Sequence, residues 1–117
     1  MALRVLVVDD ALFMRNMLKD IFVHAGFEVV AEADNGEMAL GLYQETRPDL
    51  VTMDITMRGM DGFEAARRIL HEDGQARIIF LSNLDEAQYS QEAEKIGARG
   101  YLNKHRSKDI LALIAAL

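Results

Sequence analysis

Residues 3–8 read LRVLVV, residues 9–10 are Asp-Asp, and residues 11–26 read ALFMRNMLKDIFVHAG. The first run is short, apolar and rich in Val, which predicts a buried strand. The last places Phe13, Met17 and Ile21 at helical intervals, with Leu18, Phe22 and Ala25 beside them. That predicts a helix over 11–25 with its apolar stripe on those residues. Gly26 stands where a left-handed helix stop is wanted. A strand that feeds a helix across two aspartates is the unit from which the rest can be read.

The unit repeats to the end of the chain. Residues 27–33 (FEVVAEA) alternate as an edge strand does. Asp34 and Glu37 then resemble a capping box that opens a helix to about Thr46. Pro48, the one proline, precedes a strand over 50–53. Asp61 and Glu64 form a second capping box, opening a helix to about Asp73. A strand over 77–81, a helix over 85–96 closed by Gly97, a strand over 100–103 and a helix over 107–117 capped by Ser107 follow. Strict alternation of strand and helix implies a parallel sheet covered on both faces. The fold class is therefore α/β, with five helices and a five-stranded doubly wound sheet in the order 2-1-3-4-5. A barrel of eight such units needs about 250 residues, against 117 here.

One domain over 1–117 fits this length. No cysteine is present, which excludes a disulfide scaffold, a thiolate metal site and a Cys nucleophile. Thirteen Lys+Arg against 19 Asp+Glu leave a net charge of -6, which argues against direct nucleic-acid binding. No signal peptide or membrane-spanning stretch is visible, so a cytoplasmic location with no membrane contact is expected. The last residues stay apolar to Leu117 with no capping glycine, which suggests a chain cut from a longer protein. No G-x-G-x-x-G or Walker motif supports nucleotide binding.

In open α/β sheets ligands sit beyond the carboxyl ends of the strands. The first strand ends on Asp9 and Asp10, the third on Asp54, the fourth on Ser82 and the fifth on Lys104. An aspartate after a strand is often only a helix cap, and Asp10 could cap the helix after it. Asp54 is harder to dismiss, lying in Val-Thr-Met-Asp-Ile-Thr-Met with no charged neighbour in sequence. Three adjacent carboxylates repel unless a cation is bound or a pKa rises. Hard oxygen donors of this kind suit Mg²⁺. With a lysine and a hydroxyl opposite, the set is what phosphoryl transfer to a carboxylate nucleophile requires.

The pieces VLVVDD (5–10), MDITM (53–57), MDGFEA (60–65), IIFLS (78–82) and GARGYLNK (97–104), in that order and spacing, resemble the receiver domain of bacterial two-component response regulators. The resemblance covers the whole chain. Its opening run is similar to chemotaxis regulators of the CheY type, and its closing run to receivers that carry a helix-turn-helix output domain.

The resemblance implies that Asp54 accepts a phosphoryl group from a histidine kinase or phosphotransfer protein. Asp9, Asp10, Asp54 and the backbone carbonyl of Thr56 would hold Mg²⁺, and Lys104 would pair with the phosphoryl oxygens. Ser82 would swing toward the phosphate and Tyr101 would turn inward, remodelling the face made by the fourth helix, fifth strand and last helix. That face would meet an output domain, a target protein or a second copy in a phosphorylation-dependent homodimer. Thr56 and Leu84 would tune phosphate loss. Neither can orient a water through a carboxylate or amide, so slow decay is expected.

Three positions depart from the family pattern: Arg58 and His105 stand where proline is common, and Asn83 where a small residue is usual. They leave open whether the Lys104–His105 bond is cis and keep a second function alive, a phosphate-independent binding module. A remoter alternative is an Asp-dependent phosphatase, which would want a second Asp where Thr56 stands. His24, His71 and His105 are read as surface or capping residues. Met14, Met17, Met53 and Met57 are read as core.

Overall fold

The structure, a computed structural model, describes residues 2–117. Five strands alternate with five helices: β1 (Arg4–Val8), α1 (Leu12–His24), β2 (Glu28–Ala33), α2 (Gly36–Thr46), β3 (Leu50–Met53), α3 (Gly62–Glu72), β4 (Ile78–Ser82), α4 (Glu86–Ile96), β5 (Gly100–Asn103) and α5 (Ile110–Ala115). All strand pairs are parallel and the order is β2-β1-β3-β4-β5, as expected. The chain reverses its direction of winding between β1 and β3. Val8 sits level with Met53 in that pair, so Asp9 and Asp54 leave the sheet side by side. Their amides extend the ladder by one rung, Asp9 N–H to the Ala33 carbonyl at 3.0 Å and Asp54 N–H to the Val8 carbonyl at 2.9 Å.

Strands buried on both faces bring one core to each side. Leu6, Val51, Met53, Ile78 and Phe80 pack against α2, α3 and α4 through Ala39, Tyr43, Phe63, Ala66, Ile69 and Ala93. Val5, Val7, Leu50, Ile79 and Leu81 pack against α1 and α5 through Leu18, Phe22 and Ile110. Phe63 meets Phe80 edge to face, with ring centroids 5.0 Å apart. Burying an aromatic side chain of this kind contributes about 1.5–3 kcal/mol. Among the described residues, no helix is long and apolar enough to cross a membrane.

Four local readings shift. The stripe of α1 runs through Met14, Leu18, Ile21 and Phe22, while Phe13 is 76% exposed. Both stripes satisfy the helical period, and only the docked rotation of the helix separates them. Asn35, not Asp34, caps α2, its Oδ1 accepting from Met38 N–H at 2.9 Å. Neighbouring Asp and Asn are equally good caps by type, and the extended backbone of Asn35 decides between them. Asp10 caps nothing: Ala11 precedes α1 without a side-chain cap, and its N–H is taken by Asp9 Oδ1 at 2.9 Å. Ser107 does not cap the last helix either. It is buried within a 3-10 turn over Lys104–Asp109, and α5 starts only at Ile110.

Candidate functional site

The rim at the carboxyl ends of β1, β3 and β5 gathers the charged groups. Asp9 is 1% exposed and Asp54 4%, while Asp10 is exposed. One carboxylate oxygen from each of Asp9, Asp10 and Asp54 lies within 4.8 Å of the others. Lys104 reaches across from β5, with Nζ 2.9 Å from Asp9 Oδ2 and 3.3 Å from Asp54 Oδ2. It does so over a trans Lys104–His105 bond, since no peptide among the described residues is cis.

Burial pushes the Asp54 carboxyl up from 3.8 to about 6, and the neighbouring Asp9 charge adds to the push. Lys104 and the Ile55 N–H, which donates to Asp54 Oδ1 at 2.8 Å, pull the other way. Burial lowers Lys104, but its bond to Asp9 and the Asp54 charge outweigh it and raise it overall. One ammonium therefore serves two buried carboxylates, with a third beside them. That unbalanced negative charge and the all-oxygen donor set fit a hard divalent cation.

Ser82 ends β4, 1% exposed, with its Oγ accepting from Leu84 N–H at 3.2 Å. The Tyr101 hydroxyl donates to the Leu84 carbonyl at 3.0 Å from a ring already tucked in at 8% exposure. Leu84 itself is half-buried. Thr56, Arg58 and Asn83 are exposed near the rim, and His105 is exposed just past Lys104. Asp10 opens onto a cleft of about 430 Å³ lined also by Asp34, Asn35, Glu37, Arg58, Gly59 and Met60. Gly62 explains the MDGFEA run. A Cβ there would lie 1.9 Å from the Asp54 carbonyl oxygen, so only glycine lets α3 start beneath the third strand.

Two site neighbours are not marked by the strand-end reading. Arg15 donates from Nη1 to the Asp9 carbonyl at 2.7 Å and from Nε to Glu32 at 2.8 Å, while Lys19 holds the other Glu32 oxygen at 2.6 Å. The cue available was an i, i+4 pair of cations on α1 and one acid in an otherwise apolar part of β2. Asn103 is the other, an amide at the end of β5 that donates to Leu84 and accepts from His105 N–H.

Residues 5–115 match the family described as the response regulator receiver domain. The chemotaxis protein CheY of Bacillus subtilis is 53% identical over 104 residues, 89% of this chain and 87% of that protein. CheY of Thermotoga maritima is 49% identical over the same length, with the same shares of each chain. Among solved structures, the CheX–CheY–BeF3–Mg²⁺ complex from Borrelia burgdorferi superimposes with a TM-score of 0.92 at 34% identity, covering 97% of this chain and 87% of that one. With the sheet order, the buried aspartate pair and the lysine opposite them, these matches settle the family: the chain belongs to the response regulator receiver domains, of the CheY type, the phosphorylation-dependent signalling modules of two-component systems.

Proposed function

We propose that Asp54 is the phosphoacceptor and that the surrounding rim carries out its phosphorylation. The observation that carries this is the placement of one buried carboxylate, raised in pKa, between two further aspartates and a half-buried ammonium. The Ile55 N–H occupies Oδ1, fixing the side chain and leaving Oδ2 to attack the phosphorus of a phosphohistidine on a kinase or phosphotransfer protein. The new O–P bond forms as the P–N bond breaks, and its electron pair leaves on the imidazole nitrogen, which takes up a proton. Lys104 neutralises a phosphoryl oxygen as charge spreads over the transferring group. Receiver domains generally bind Mg²⁺. Here Asp9, Asp10, Asp54 and the Thr56 carbonyl would hold it, and it would supply the remaining positive charge.

Receivers of this type interact with kinases and with output or target proteins. In this chain Ser82 would turn to the phosphoryl group and release the Leu84 N–H, with Tyr101 already inward and its hydroxyl on the Leu84 carbonyl. The affected face is α4, β5 and α5, the proposed docking surface for a target or a second copy. Neither Thr56 nor Leu84 offers a carboxylate or amide to orient water, which supports a long-lived phosphorylated state. Thr56 also denies the site the second acid that a phosphatase mechanism would use.

The test is intact-mass spectrometry with Mg²⁺ and acetyl phosphate or phosphoramidate. One added phosphoryl group, lost in Asp54→Asn and without metal, is expected. No adduct with either donor overturns the proposal.

A further inference from the structure

Asp10 supplies the exposed carboxylate of the aspartate trio, yet the backbone that carries it is fixed on both sides. The peptide before its Cα is anchored through the Asp9 carbonyl, which accepts from Arg15 Nη1 at 2.7 Å. The peptide after it is anchored through the Ala11 N–H, which donates to Asp9 Oδ1 at 2.9 Å. Arg15 is itself clamped. Its Nε donates to Glu32 Oε1 at 2.8 Å, and Lys19 Nζ, one helical turn on, holds Glu32 Oε2 at 2.6 Å. Glu32 lies level with Val7 in the β1–β2 ladder, so the guanidinium bridges the edge strand and the peptide that leaves β1. The Arg15 side chain is 14% exposed, which strengthens both bonds by keeping most water away.

Two features set this contact apart from ordinary packing. Arg15 is the fourth residue of α1, and a cation so near a helix N-terminus opposes the helix dipole. The start of α1 also has neither a side-chain cap nor an acid in its first turn, so the usual means of fixing a helix start are missing.

We propose that Arg15 is a positioning residue for the divalent-cation site. By holding the Asp9–Asp10 peptide it fixes where the Asp10 carboxylate stands relative to those of Asp9 and Asp54, and Glu32 holds Arg15 for that task. The proposal rests on the reading in which the three aspartates take Mg²⁺. Mg²⁺ demands near-ideal octahedral geometry, whereas Ca²⁺ accepts longer and more variable bonds. A fixed Asp10 therefore favours the smaller ion, and a loosened one weakens Mg²⁺ more than Ca²⁺. Charge alone acts in the opposite sense, because one cation fewer beside the site attracts either ion more strongly. Loss of Arg15 thus weakens Mg²⁺ binding if the guanidinium positions Asp10, and strengthens it if the guanidinium acts only as a charge.

Three variants separate these effects. Arg15→Met fills similar space without donors. Arg15→Lys keeps the charge but cannot span Asp9 and Glu32 with a planar fork. Lys19→Met removes a cation from the same carboxylate without touching Asp9. In metal-free protein, NMR order parameters at the Asp10 and Ala11 amides should fall in Arg15→Met from about 0.85 toward about 0.6. They should hold in Lys19→Met, and amides in α3 and β4 should not change in any variant. In NMR titrations the Mg²⁺ dissociation constant should rise about tenfold in Arg15→Met, and that of Ca²⁺ by about threefold or less. Arg15→Lys should lie between the parent and Arg15→Met. Lys19→Met should stay within about twofold of the parent for both ions.

Tighter or unchanged Mg²⁺ binding in Arg15→Met overturns the proposal, and so does an equal loss for Mg²⁺ and Ca²⁺. Weaker Mg²⁺ binding with unchanged order at Asp10 and Ala11 overturns positioning through the peptide. If the unsubstituted protein shows no Mg²⁺-dependent shift at Asp9, Asp10 or Asp54, the metal reading of the three aspartates falls and the proposal with it. Binding by the parent without loss in Arg15→Met removes the role of Arg15 alone.

Discussion

Replacing Asp54 by asparagine in metal-free protein should stabilise the fold, and only on the alkaline side. The folded-state pKa of Asp54 is raised from 3.8 to about 6, chiefly by burial and then by the Asp9 charge. A raised carboxyl pKa means that the fold prefers the protonated form. Its favourable contribution is complete below pH 4 and is lost as pH rises through about 6. Above that, the ionised group is a net cost. A shift of about two pH units at about 1.4 kcal/mol each makes that cost about 3 kcal/mol at pH 8. Asparagine stays neutral throughout and avoids it. The Ile55 N–H still finds an oxygen at the Oδ1 position, and Lys104 keeps Asp9 at 2.9 Å.

Thermal unfolding in EDTA should therefore show nearly equal Tm values for parent and Asp54→Asn at about pH 3, below the ordinary pKa of 3.8. The gap should widen to about 10 °C in favour of the variant at pH 8, at roughly 4 °C per kcal/mol for a domain of this size. Adding Mg²⁺ should shrink the gap, because binding to the ionised cluster stabilises the parent. A gap that does not vary with pH, or a parent more stable than Asp54→Asn at pH 8 without metal, would refute the argument that burial and Asp9 outweigh Lys104.

Other outcomes follow from particular residues. Thr52 Oγ1 is buried in β3 without a hydrogen-bond partner, so Thr52→Val should raise stability by about 1 kcal/mol in urea unfolding. Gly62→Ala should cost about 3 kcal/mol or more, and should slow phosphorylation, because its Cβ would displace the backbone of Asp54. Lys19 and Arg15 hold Glu32 below its usual 4.5, so its contribution is present above that pH and is lost as pH falls through the lowered value. Glu32→Gln should be less stable than the parent at pH 7, with the deficit vanishing in acid titrations. The phosphorylated protein, freed of donor, should lose its phosphoryl group slowly in timed mass spectra; loss within seconds would contradict the roles given to Thr56 and Leu84.

The alternation of strand and helix, the sheet order and the five rim residues are legible in the chain because they depend on local rules. A short Val-rich run is a buried strand wherever it falls. In a parallel sheet the residue after each strand must emerge at one edge, so the strand ends alone place Asp9, Asp10, Asp54, Ser82 and Lys104 on one rim. What local rules cannot supply is rotation, register and partners distant in the chain. The stripe expected for α1 and the one observed share Leu18, Ile21 and Phe22, and docking against β1 chooses the rotation that half-buries Met14, exposes Phe13 and turns Arg15 toward Asp9. Asp34 and Asn35 are equivalent caps until the backbone at the end of β2 is known. Arg15 meets Glu32 across 17 residues, and Asn103 meets Leu84 across 19. Those pairings arise only when the sheet brings separate strand ends level, since a hydrogen bond needs its atoms within about 3 Å and sequence spacing carries no such distance. The sequence alone therefore determined the family and which residues stand on the rim, whereas tertiary packing decided which side chains hold that rim in place.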